Sequence, residues 1–194
     1  MRKLDYNAPV ILTFAILAVG IFIVGQLIPA FIGRYFLVRG SMSLLNPLDY
    51  FRLISHVLGH GSWQHLFGNL TLVLLLGPIL EEKYGSIPLL IMIVVTALVT
   101  GIINIVFFSS GLLGASGIVF MLIILVSIVD LEAGSIPLTF VLVVVIFLGG
   151  EFVDIFRNDN ISQMSHIIGG AVGAFFGFVI PHDTANQAVV TSYR

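Results

Sequence analysis

Residues 84–129 read YGSIPLLIMIVVTALVTGIINIVFFSSGLLGASGIVFMLIILVSIV, 46 residues without one charged side chain. A helix that crosses the hydrocarbon core of a bilayer needs about 20 predominantly apolar residues, so this stretch has room for two. Its middle, Ser109-Ser110-Gly111 and then Gly114, carries the residues that break a helix. Spans are therefore predicted over 86–108 and 116–129. Working outward, four further windows lack charge: 53–80, 133–150, 160–182 and 6–33, of 28, 18, 23 and 28 residues. Each holds one span. The expected fold is all-α: a polytopic membrane protein, one six-span domain over 1–194 with spans at 8–32, 62–80, 86–108, 116–129, 135–152 and 161–180. The long first connection, 33–61, mixes Arg34, Arg39, Asp49 and Arg52 with apolar residues. It reads as a partly embedded interfacial segment.

Composition agrees. Of the 194 residues, 58% are hydrophobic and 9% charged, against about 25% charged in a soluble domain. A mean hydropathy of +1.13 points the same way. A soluble globular domain, a disordered chain and a nucleic-acid binder are excluded. The net charge of −2 offers nothing to a polyanion. With no cysteine there is no disulfide, thiolate metal site or thiol nucleophile. The first window is too long for a cleaved signal peptide and reads as a retained span. Orientation is weakly specified, with Arg2, Lys3, Lys83 and Arg194 on one side and Arg34, Arg39, Arg52 and Arg157 on the other. The Arg2-Lys3 pair before the first span favours a cytoplasmic N-terminus.

Polar side chains inside spans are costly and point to function when they face the bundle interior. Here they are His65 and Asn69 on the second span, Ser116 opening the fourth, and His166 on the sixth. Spans two, four and six begin on one membrane face. At 1.5 Å per residue all four residues then lie within roughly 0–12 Å of it. A serine hydroxyl becomes a nucleophile when an adjacent base takes its proton, and a neutral imidazole suits that task. The oxyanion that forms needs aimed donors. Asn69 and His65, four apart on one helical face, can supply them beside the backbone N–H of Ser116. Gly114-Ala115-Ser116-Gly117 sets the serine at a helix N-terminus, where free amides and the helix dipole favour an anion. On the sixth span Gly170, Gly173 and Gly177 fall within roughly 40° of His166, a stripe that lets two backbones approach. Each feature also has a plain structural reading: Ser116 as a cap, Asn69 and His65 as interhelical glue, the glycines as packing. Their shared depth and complementary chemistry favour catalysis.

Taken together these motifs resemble the rhomboid family of intramembrane serine proteases. Gly114-Ala115-Ser116-Gly117 is similar to the family's G-x-S-G, and His166, Gly169 and Gly173 to its H-x-x-G-x-x-x-G. His65 and Asn69 resemble its H-x-x-x-N pair, with Arg52, His56 and His60 at the family's spacing upstream. Glu81 and Gly85 match the E-x-x-x-G that follows. The resemblance implies a cofactor-free endopeptidase that cuts transmembrane segments of other membrane proteins. Ser116 would be nucleophile and His166 general base and acid, with Asn69, His65 and the Ser116 N–H as the oxyanion hole. Gly114, Gly117, His60, Gly169, Gly170 and Gly173 would support the site, and Arg52 and Glu81 would be structural. It further implies a loop at 151–160 capping the site, a fifth span that moves to admit substrate, and no third triad member, Asp154 reading as loop structure. The expected location is a prokaryotic cell membrane, the site opening to the face opposite the cytoplasmic N-terminus. One departure is Phe120, where many members carry a tyrosine that stacks on the catalytic histidine.

Two other readings have residues behind them. His56 and His60 stand four apart with His65 nearby, a spacing that suits metal ligation. Val57, however, takes the place of the glutamate in H-E-x-x-H, which leaves a metalloprotease without its base. A rhomboid-like binder without catalysis should lack the serine or the histidine, and this chain has both.

Overall fold

The computed structural model describes residues 5–132 and 160–181, with Leu138, Val141, Leu142 and Val145 between them; side chains are described for 5–128, 165–181 and those four. Among the described residues the chain is all-α with one isolated antiparallel bridge, Val38 to Leu112. The helices are α1 (Pro9–Leu27), α2 (Phe31–Tyr35), α3 (Pro47–Ser55), α4 (Trp63–Tyr84), α5 (Ser86–Phe107), α6 (Ser116–Glu132) and α7 (Asn160–Val179), with a 3₁₀ turn at His56–Leu58. Three of them, α1, α4 and α5, are long and apolar enough to cross a membrane, with mean hydropathies of 2.6, 1.3 and 2.7. They expose large apolar side chains such as Leu27, Leu75, Ile87 and Val106. The expected fifth span and the 151–160 loop lie outside the described residues, apart from the four positions named and Asn160. Those four are helical and exposed.

α1 stops at Leu27 rather than Ile32. Pro29 is the cause, because it disfavours helix at the residue before it and cannot donate to the helical ladder. Ala30 then takes a left-handed φ of 61° to redirect the chain into α2. A single residue, Gly85, joins α4 to α5 at φ +85°, a conformation that glycine adopts without Cβ strain.

Glu81 organises this end of the bundle. Its buried carboxylate accepts from the N–H groups of Val10 (2.9 Å) and Ile11 (3.1 Å) and from the Ser86 hydroxyl (2.7 Å). α1 has no side-chain cap of its own, so a residue 70 positions away supplies it. A carboxylate at a helix N-terminus also suits the helix dipole. Bonds to a charged group are worth about 1.5–3 kcal/mol each, so Glu81→Ala should lower stability by about 3 kcal/mol or more. Glu81→Gln, which keeps one acceptor oxygen, should lose less. Unfolding of both proteins in one detergent checks the order.

Arg52, the other residue expected to be structural, does not meet Glu81. It is buried in the first connection, paired with Asp49, and donates from Nε (3.0 Å) and Nη2 to the Arg34 carbonyl. Asp49 in turn accepts from the Ser43 N–H (3.0 Å), and the two bonds hold its carboxyl below the usual range. Ser55 donates to the Tyr35 carbonyl (3.3 Å). These contacts fold residues 34–55 onto themselves, and Leu53 then rests against Gly101 of α5.

α6 is the axis of the molecule. Ile118, Val119, Phe120, Met121, Leu122, Ile123 and Leu125 are all buried, which covers every side of the helix. α4, α5 and α7 surround it.

Candidate active site

Ser116 is the first residue of α6, half-buried, and the segment before it is tied down at three points. Val38 and Leu112 exchange backbone hydrogen bonds of 3.1 and 2.9 Å. Asn104 Nδ2 donates to the Ser110 carbonyl (3.0 Å), and the Gly114 N–H donates to the His56 carbonyl (3.0 Å). Gly114 has φ +112°, and a Cβ there would strike the His65 imidazole. Only glycine therefore fits, on conformation and on space. Val119 N–H closes the first helical bond onto the Ala115 carbonyl (2.9 Å), so the amides of Ser116, Gly117 and Ile118 have no partner within the helix.

His166 is buried on α7, and its ring lies on Phe120, one turn beyond Ser116, with centroids 4.3 Å apart and planes within 7°. The two helices touch through backbone. A Cβ on Gly169 would land on the Gly117 carbonyl, one on Gly173 would lie 2.7 Å from the Met121 carbonyl oxygen, and one on Gly177 would meet Ile128 at 2.5 Å. Close approach thus runs through Gly169, Gly173 and Gly177, four residues apart. Gly170, which shares a face with His166 in projection, would accept a Cβ in ordinary contact with Ile124 at 3.6 Å. Gly117 is enclosed on its other side by Thr100 and the Ser165 carbonyl, 3.2 and 3.4 Å from a Cβ placed there.

α4 brings the amide and imidazole. Ser62 caps it, accepting from the His65 N–H (3.2 Å), so His65 sits in the first turn against Gly114. Asn69, one turn on, is 4% exposed, and its Nδ2 has no hydrogen-bond partner among the described residues. His60 lies edge-on to His65 with centroids 5.0 Å apart. Its Nδ1 faces the Leu58 carbonyl (3.2 Å), which makes Nδ1 the donor of a neutral ring. Burial, and then the neighbouring His65, push the His60 pKa down to about 4.

His56 and His60 do not line one helical face as metal ligands would. The helix tightens at His56 and ends before His60. His56 Nδ1 faces the Arg52 and Leu53 carbonyls (both 3.2 Å), its Nε2 faces the Thr100 hydroxyl (3.4 Å), and burial lowers its pKa to about 4. Thr100 belongs to a buried stripe, Thr96, Thr100 and Asn104, that sequence reasoning passed over. The signal was present, since polar residues recur every four positions along an apolar helix. Thr96 binds Met121 Sδ at 2.9 Å, Thr100 meets His56, and Asn104 holds the loop before Ser116. The stripe therefore sets the height of α6 and its approach segment.

Apart from Asn69 and Gly170, the expected site residues fall into two groups. Gly114, Ser116, Gly117, Phe120, His166, Gly169 and Gly173 form one contiguous set across α6 and α7, and Gly114 joins it to His65 and thence His60. Arg52 and Glu81 stand apart, each within its own network. A family model described as Rhomboid domain matches residues 47–182, more than half of the chain. The chain belongs to the rhomboid family. Among its relatives is the Rhomboid protease GlpG of Haemophilus influenzae, 28% identical over 134 residues, which cover 68% of this chain and 70% of that protein. The rhomboid match opens at α3 and closes after α7, so it contains the whole contiguous set. α1 precedes the match, and it is held to the rest by the Glu81 cap and by apolar packing of Ile11, Ala18 and Phe22.

Proposed function

We propose that this chain is an intramembrane serine endopeptidase that cuts the spanning helices of other membrane proteins with a Ser116–His166 dyad. The observation that carries the reading is the junction of α6 and α7: a serine opening one helix, a histidine stacked on the residue one turn beyond it, and two backbones in contact between. Ser116 Oγ attacks the scissile carbonyl while His166 takes its proton. The tetrahedral oxyanion is held by the Ser116 N–H and by Asn69 Nδ2, a buried donor without a partner among the described residues, with His65 beside them. His166 then protonates the leaving amine, and water hydrolyses the acyl-enzyme with His166 as base again. Phe120 fixes the imidazole plane by stacking, in place of a tyrosine hydroxyl.

In this reading the chain has six spans, the fifth over 135–152, with its N-terminus in the cytoplasm and the site opening to the opposite face of a prokaryotic cell membrane. Substrates are transmembrane segments that unwind near the cut, because a helical amide is hydrogen-bonded and shielded. Small or helix-breaking residues are expected there.

A fluorophosphonate probe tests this directly. It should label the purified protein at Ser116 and leave Ser116→Ala and His166→Ala unlabelled. A wild type that stays unlabelled while a known serine hydrolase in the same detergent reacts would mark the chain as a binder rather than a catalyst.

A further inference from the structure

A second feature is lined by none of the candidate site residues. α1, α5 and the first connection enclose a cavity of about 750 Å³. Its walls run along α1 from Pro9 to Ile21 and along α5 from Ser86 to Val94, and Phe36, Phe51, Ile54 and Leu58 close it on the third side. We infer that this crevice is a binding site for the hydrocarbon chains of a bilayer phospholipid, which wedge between α1 and α5 beneath the first connection.

The lining asks for hydrocarbon and nothing else. It holds three hydroxyls, and each is already engaged: Thr13 with the Tyr6 hydroxyl (2.9 Å), Ser55 with the Tyr35 carbonyl (3.3 Å) and Ser86 with Glu81 (2.7 Å). Among the described residues no charged side chain lines the space. Length fits as well. Pro9 to Ile21 spans about 18 Å at 1.5 Å per residue, close to the roughly 15 Å of one leaflet's hydrocarbon. The crevice is continuous with the apolar surface that the spans expose, through Leu17, Phe51, Ile54 and Leu90, all more than two-fifths exposed.

A transmembrane helix suits this wall poorly, because α1 presents Val10, Phe14, Leu17 and Ile21 there and not the small residues that let helix backbones approach. Slender chains can settle between such large side chains. A chain seated there would support Phe51 and Ile54 from below, and through them the connection whose 3₁₀ turn accepts from Gly114.

The test is an adduct map, independent of the protease reading. The full chain, and Ser116→Ala in parallel, are reconstituted in phosphatidylcholine vesicles doped with phosphatidylcholine carrying a diazirine on its acyl chain. After illumination, lipid adducts are located by mass spectrometry. Val10, Leu17 and Leu90 should carry roughly threefold or more the adducts of Ile23, Leu75 and Ile102, which are exposed but outside the crevice, because an enclosed chain keeps more contacts than one in the bulk bilayer. Val94→Trp, which fills the space, should erase that excess and leave the outer residues unchanged. Equal labelling of both sets in the wild type, or less labelling of the crevice residues, overturns the site. The wild-type map decides even if Val94→Trp fails to fold.

Discussion

Ser116→Ala should cleave a model transmembrane substrate at least about a thousandfold more slowly than wild type, and His166→Ala should lose about as much. The two act as a unit, so removing both should cost little more than removing either. The reason is physical. A serine hydroxyl without its base is nearly inert, and an imidazole without its nucleophile has only water to activate. On the proposed reading, what remains is catalysis by the donors assigned to the oxyanion: the first-turn amides of α6 and Asn69 Nδ2. Asn69→Ala should therefore reduce the rate by a smaller factor, about 10²-fold, with little change in KM, since that amide acts on charge present only in the transition state. Initial rates of the four variants in one detergent supply the comparison. Multiplicative losses for Ser116 and His166 would rule out a dyad, and undiminished cleavage by Ser116→Ala would end the reading altogether.

How much of this was legible in advance differs from residue to residue. The candidate site could be read because a bilayer chain has so few polar groups that each one stands out, and alternating topology predicts one depth for Ser116, His65, Asn69 and His166. Local rules would also have found more than they were asked. Pro29 forbids the helix from running to Ile32, and the spacing of Thr96, Thr100 and Asn104 marks a buried polar stripe. Other contacts leave no local trace. Glu81 reads as a charge flanking a span, and nothing near it foretells that it caps a helix 70 positions earlier. Arg52 shows its Asp49 partner at i−3, but its second partner is the carbonyl of Arg34, and a backbone oxygen has no sequence identity. The apolar crevice is likewise invisible, because its walls are ordinary span residues made distinctive only by what they leave between them.

The glycines of α7 give the sharpest separation between what projection suggests and what contact demands. Gly169→Ala should destabilise the protein by about 3 kcal/mol or more, since its methyl group would coincide with the Gly117 carbonyl and backbone cannot rotate aside as a side chain does. Gly170→Ala, one residue on, should be neutral or stabilising by up to about 1 kcal/mol: its methyl meets Ile124 at 3.6 Å, and alanine is the better helix former. Gly173→Ala belongs between them, with Met121 O at 2.7 Å. Activity should follow the same order. Gly169 lies one turn from His166, and Gly117 adjoins Ser116, so forcing α7 away from α6 should part the stacked rings and, with them, the proposed dyad. A displacement of about 1 Å can cost 10²-fold in rate. Thermal unfolding and initial rates for the three alanine variants make the test, with Gly170→Ala as the internal standard for helix propensity. If Gly169→Ala and Gly170→Ala unfold alike and cleave alike, the backbone contact is not what holds the histidine, and the reach between α6 and α7 must be set elsewhere.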